Sequence, residues 1–139
     1  MQNFWRVNLT LTALYGAVVV GMSAAISHVF LHSLDGKALS SLLSSTAVLA
    51  FQTLALLAMT FSQLAKTQTT QQGQTAAVIF LKLPALVAVG FHLGLWLFVY
   101  TVWAGLFNLP MHFSKLAPIG GQLLLLCWLL LAATPWIRK

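Results

Sequence analysis

A chain of 139 residues with one acidic side chain, Asp35, against seven lysines and arginines cannot cover a soluble domain, since 60% of it is hydrophobic and only 6% charged. The mean hydropathy of +0.91 points to lipid as the solvent and leaves room for one membrane domain. The net charge of +6 is not a nucleic-acid footprint, because the basic residues stand singly at the ends of apolar segments, where they anchor against headgroups.

The expected fold is all-α: one integral membrane four-helix bundle over residues 1–139, with helices at about 7–30, 39–64, 76–107 and 116–135. Residues 1–6 form a short amphipathic lead with Trp5 and Arg6 as interface anchors. The first apolar run is longer than the roughly 7–15 residues of a signal-peptide core, so it predicts a membrane helix. The sequon Asn8-Leu9-Thr10 falls at the start of this helix, a poor place for a glycan. Asp35-Gly36 marks a turn before the second helix. That helix opens with serines at 40, 41, 44 and 45, and carries Gln52 and Thr53 near mid-membrane. Residues 65–74, with Lys66 and a Thr/Gln run, predict a solvated loop. The third helix has Lys82 snorkelling and Pro84 kinking or restarting it, and ends at Asn108-Leu109-Pro110. Its charge-free run, 83–107, can cross a core of about 30 Å at about 1.5 Å per residue. The fourth helix ends in another aromatic-plus-basic anchor, Trp136, Arg138 and Lys139.

Four crossings put both termini on one side together with Arg6, Lys66, Lys82, Arg138 and Lys139, against Lys37 and Lys115 on the other. The positive-inside bias predicts that this side is the cytoplasm. Cys127 is the only cysteine and lies inside the last apolar segment, so no intramolecular disulfide forms and a buried thiol is expected.

Helices in lipid associate through close approach and polar contacts. Gly90 and Gly94, four apart, and Gly120 with Gly121 are the expected helix-packing positions, either within the chain or as a seam between copies. The serine pairs 40/44 and 41/45 can bond their own helix or reach across it.

The histidines are the candidates for chemistry. His28 and His32 share a helix face near the outer end of the first helix, and His112 lies in a loop on the same side, beside Met111. Together they could hold copper or zinc, with Asp35 nearby. His92 lies deeper, and an ionisable residue in the membrane calls for a named partner. Gln52 is the expected partner, and the two form the polar interior. A shared haem is excluded because His28 and His92 differ by roughly 20 Å in depth; no cofactor is expected. No serine–histidine–carboxylate set exists, no phosphate-binding glycine pattern, and no membrane-embedded acid for a proton-coupled pump.

Ala117-Pro118-Ile119-Gly120-Gly121, with Trp128 seven residues on, resembles the opening of the last helix in the YgdD-like family of small bacterial membrane proteins of unknown function. That helix opens with Thr-Pro-Ile-Gly-Gly and continues to Gly-Trp. His28 matches the Gly-Ala-His that closes their first helix. Ala117 replaces their threonine, Cys127 their glycine and Gln52 a histidine of their second helix, and a Ser-Gly-Ser of their third is absent around residues 99–101. The resemblance covers nearly the whole chain in layout, on few residues. It implies four helices with both termini on one side, and brings no activity or ligand.

The function expected is non-enzymatic: a structural or accessory subunit of a bacterial inner (plasma) membrane, packing in the bilayer with itself or with a larger membrane complex, and not with nucleic acid. The alternatives are an outer-face metal binder using His28, His32 and His112, and a carrier for a small neutral or apolar solute lined by Gln52, His92 and Trp96.

Overall fold

The computed structural model describes residues 2–69, 78–109 and 116–137. It is an all-α bundle of four helices: α1 (Gln2–Ser33), α2 (Gly36–Thr69), α3 (78–106) and α4 (Leu116–Ile137). All four are long and apolar enough to cross a membrane, and no strand occurs among the described residues. Among the described residues, two single turns of π-helix interrupt the α geometry, Ile26–Phe30 in α1 and Trp96–Tyr100 in α3.

Neighbouring helices run antiparallel. Asn8 meets Thr60 and Gly16 meets Thr53 between α1 and α2; Ser45 meets Trp103 between α2 and α3; Gly94 meets Leu124 and Gly121 meets Phe98 between α3 and α4. It follows that α1 and α3 run in the same direction, with Asn8 beside His92 at one level and Phe30 beside Phe107 further along. The chain is thus two helical hairpins, α1–α2 and α3–α4, joined along α2 and α3. These two middle helices are the more deeply buried: 44% and 39% of their most apolar windows, against 11% for α1 and 17% for α4.

Leu49, Leu56, Phe91, Leu95 and Val99 fill the seam between α2 and α3, while Leu14, Leu54, Leu86 and Leu125 point outward. Polar residues lie inside: Asn8, Thr12, Ser45, Gln52 and Thr60 are all buried. With apolar side chains on the outside as well as the inside, only lipid satisfies the outer face.

Helix ends explain where the expected boundaries shift. Asp35 is the N-cap of α2: its Oδ1 accepts from the Ala38 N–H at 2.6 Å, so the helix starts at Gly36 rather than near residue 39. At the other end α2 continues to Thr69, through residues expected to begin a loop. The N-terminus differs more. Residues 2–6 are already helical, and Trp5 is buried against the core, 1% exposed, with Phe4 edge-on to it at 5.0 Å. Trp5 is therefore a packing residue and not an interface anchor. The helix also continues through Pro84 rather than restarting there, although proline supplies no N–H to the preceding turn. Asn108 closes α3 in the left-handed region (φ 52°), and the Leu109 N–H reaches back to the Ala104 carbonyl at 2.9 Å, the αL ending that asparagine tolerates.

The α3–α4 crossing is held at glycine distance. A Cβ on Gly120 would stand 2.5 Å from the Phe98 nitrogen and 2.9 Å from the Gly94 carbonyl oxygen; one on Gly94 would stand 2.7 Å from Leu124, and one on Gly90 would collide with the Cys127 sulfur. Gly90 and Gly94 thus face α4 of their own chain. Gly120→Ala should cost about 1–3 kcal/mol, because main-chain atoms cannot step aside. Gly21→Ala, where nothing lies within 4 Å, should leave stability unchanged or slightly higher. Thermal unfolding of the purified variants in detergent checks this; equal midpoints for the two would show that the crossing is not tight.

Candidate functional site

The polar interior centres on His92, midway along α3 and partly buried. Its Nε2 lies 2.7 Å from Asn8 Oδ1 and its Nδ1 lies 2.9 Å from the Tyr15 hydroxyl, both on α1. Asn8 Nδ2 donates to Thr60 Oγ1 at 2.5 Å, and Thr60 in turn donates to the Leu56 carbonyl at 2.6 Å. Thr12 donates to the Asn8 carbonyl at 2.6 Å.

The direction of this chain follows from its last member. A carbonyl only accepts, so the Thr60 proton is committed to Leu56 and the threonine oxygen must accept from Asn8. That sets the asparagine with its amide nitrogen toward Thr60 and its carbonyl oxygen toward His92. The oxygen cannot donate, so His92 carries its proton on Nε2. With no carboxylate among its bonded partners, a charged imidazole at this depth would cost about 3 kcal/mol or more. The ring is therefore neutral, and its Nδ1 lone pair accepts the Tyr15 proton. Tyr15, His92, Asn8 and Thr60 each donate once to the next group in the line, which ends at the accepting Leu56 carbonyl.

Such a chain orients side chains but does not carry protons. A carboxamide neither accepts nor releases a proton readily near neutrality, so Asn8 interrupts any relay. No serine or cysteine nucleophile is bonded to His92.

Gln52, expected as the partner of His92, does not fill that role. The imidazole already has both nitrogens engaged by α1, because α1 runs parallel to α3 and starts early enough to bring Asn8 level with it. Gln52 is 4% exposed, and its Oε1 has no hydrogen-bond partner. Sequence reasoning missed Asn8, Tyr15 and Thr60. A signal was present: Trp5, Asn8, Thr12 and Tyr15 recur at intervals of three and four on one face of an otherwise apolar helix.

Of the three histidines proposed as metal ligands, His28 and His32 are exposed near the end of α1, and His112 lies outside the described residues. No group of three or more His, Cys, Asp or Glu side chains gathers among the described residues. Asp35, placed near them in the sequence, is occupied in capping α2.

A second feature adjoins the polar chain. An aromatic groove of about 180 Å³ lies where α1, α2 and α3 meet, walled by Tyr15, Leu49, Trp96, Tyr100 and Trp103. The Trp103 indole N–H donates to Ser45 Oγ at 2.9 Å, and Ser45 donates back to its own helix. Trp96 and Tyr100, with ring centroids 5.8 Å apart, are 63% and 40% exposed, so the groove opens toward lipid. The π turn Trp96–Tyr100 forms its wall, and such turns concentrate at functional sites.

Against known proteins, the chain matches no family model, no curated protein and no solved structure.

The polar chain makes two linked predictions. Nitrogen-15 spectra of histidine-labelled protein should show His92 protonated at Nε2 alone; a proton on Nδ1 alone would refute the assigned direction. Asn8→Leu should lower unfolding stability by about 1–3 kcal/mol, since it leaves the His92 N–H without an acceptor inside the bundle.

Proposed function

We propose that this chain is a small non-enzymatic membrane protein, a structural or accessory subunit that packs with itself or with a larger complex in a bacterial inner membrane. The observation that supports this reading is the closure of most interior polar groups upon one another or upon their own helices, Gln52 Oε1 excepted. The hydroxyls of Thr12, Ser45, Thr46, Thr53 and Thr60 bond carbonyls of their own helices, and His92 has no nitrogen left for a substrate. Such an interior serves architecture better than turnover. The shallow burial of α1 and α4 leaves broad apolar faces for lipid or for other helices. In this reading the chain is also a divergent relative of the YgdD-like proteins, on Pro118, Gly120, Gly121, Trp128 and His28.

Purification in a mild detergent, followed by mass measurement of the intact particle, tests the role. A defined oligomer or a stoichiometric complex is expected; a lone monomer that behaves well at native expression levels would count decisively against it. Both termini are assigned to the cytoplasm, on five basic residues against two. A reporter fused to the C-terminus should accordingly be active only in its cytoplasmic form, and activity of a periplasmic reporter there would reverse the orientation.

A further inference from the structure

We propose that His28 and His32 form a two-histidine site for a divalent transition-metal ion, Cu2+ ahead of Zn2+, on the outward face of α1 close to its end. Three observations carry this assignment, and the donor set then selects the ion.

The first is register. Along α1 the buried and half-buried positions recur at Thr12, Tyr15, Val19 and Met22, at intervals of three and four. They continue at Ile26, Phe30 and Leu34, at intervals of four. The change falls at the π turn Ile26–Phe30, where the Leu31 N–H reaches back five residues to the Ile26 carbonyl. Phe30 stays inside, its ring 5.3 Å from that of Phe107. In a regular helix two residues four apart stand about 40° from each other around the axis. Where the inner face itself returns every fourth residue, that offset shrinks. His28 and His32 each follow an inward residue by two, so both lie on the outward face, one above the other. Histidines four apart on one helix face are also the pair with which zinc-protease helices hold their ion.

The second is availability. Both rings are exposed, and among the described residues neither has a hydrogen-bond partner. His92, by contrast, has both nitrogens engaged. The third is position. The 32 residues of α1 extend about 48 Å against a hydrocarbon core of about 30 Å, so the end of the helix has the length to reach headgroups and water. Water there fills the remaining coordination positions, and the charge of the ion is not buried in lipid.

Neutral imidazoles suit copper, zinc and nickel, whereas calcium and magnesium need oxygen ligands. No third histidine, cysteine or carboxylate joins the pair among the described residues. With two nitrogen donors the general affinity order of divalent ions places Cu2+ above Zn2+.

The test uses the full chain, free of any histidine tag, in nanodiscs of zwitterionic lipid titrated with Cu2+. Affinity is read by competition with a chromogenic chelator, and pulsed EPR of the loaded protein counts the coordinated imidazoles. One ion per chain with two imidazoles is expected. His28→Ala and His32→Ala, both at exposed positions that folding does not need, should each leave one imidazole and bind at least about tenfold more weakly, a loss of about 1.4 kcal/mol. His32→Ala combined with Ser33→His keeps the number of histidines but turns one of them about 100° around the helix, and should bind no better than His32→Ala alone. His112→Ala should change neither affinity nor count. Unchanged affinity in either single variant would overturn the proposal, as would recovery of binding with Ser33→His or a loss with His112→Ala. Four imidazoles around one ion would also overturn it, since the ion would then join two copies rather than sit on one helix.

Discussion

Hydrocarbon offers a histidine nothing to bond, and that constraint organises this bundle. Both nitrogens of His92 must find partners within the protein, and both partners come from α1, the helix that does not pack closely against α3. Interhelical hydrogen bonds in membranes average about 0.6 kcal/mol, so their energy alone does not hold α1 in place. What they supply is selection. Sliding α1 by one turn would separate Asn8 from both His92 and Thr60 and leave three polar groups facing apolar neighbours. A single buried asparagine fixes the register of a coiled coil by the same reasoning.

The second organising contact is steric. Gly120 brings the backbone of α4 against the backbone of α3 at Phe98, inside the π turn. The turn has a packing consequence that can be followed along the helix. The buried positions Phe91, Leu95, Val99 and Ala104 are spaced by four, four and five residues, wider than the 3.6 of a regular helix. The extra residue keeps Val99 and Ala104 on the inner face, while Trp96 and Tyr100 turn toward the groove. The glycine crossing and the aromatic wall are therefore parts of one arrangement.

The four spans were legible because long runs without charge have no other stable home. The ends were less so, and particular residues show why. Asp35-Gly36 has the composition of a turn, yet the aspartate faces forward and caps α2, so the helix starts a turn early. Trp5 beside Arg6 has the composition of an interface anchor, but composition does not say on which face of the helix it falls. Its place in the stripe with Asn8, Thr12 and Tyr15 does. The partner of His92 was harder still. Gln52 and His92 both sit near mid-depth, but depth fixes only one coordinate, and the rotation of each helix decides which side chains meet. Uniformly apolar helices such as α3 carry little periodicity from which to read that rotation. The π turn then changes it partway along.

The interior hydrogen bonds divide into two kinds with different consequences. The threonines at 12, 46, 53 and 60 bond carbonyls of their own helices; those bonds form wherever the helix forms and carry no information about neighbours. Among the described residues, two groups of contacts that tie one helix to another by polar atoms on the inner seam are Asn8 and Tyr15 with His92 and Thr60, and Ser45 with Trp103. On α3 they are separated by eleven residues, or about 16 Å of helix. The aromatic groove lies between them, and each clamp holds one of its walls, Tyr15 on one side and Trp103 on the other. A gap closed only by apolar contact would collapse as the helices rolled together. This one is braced at both ends by bonds that collapse would break.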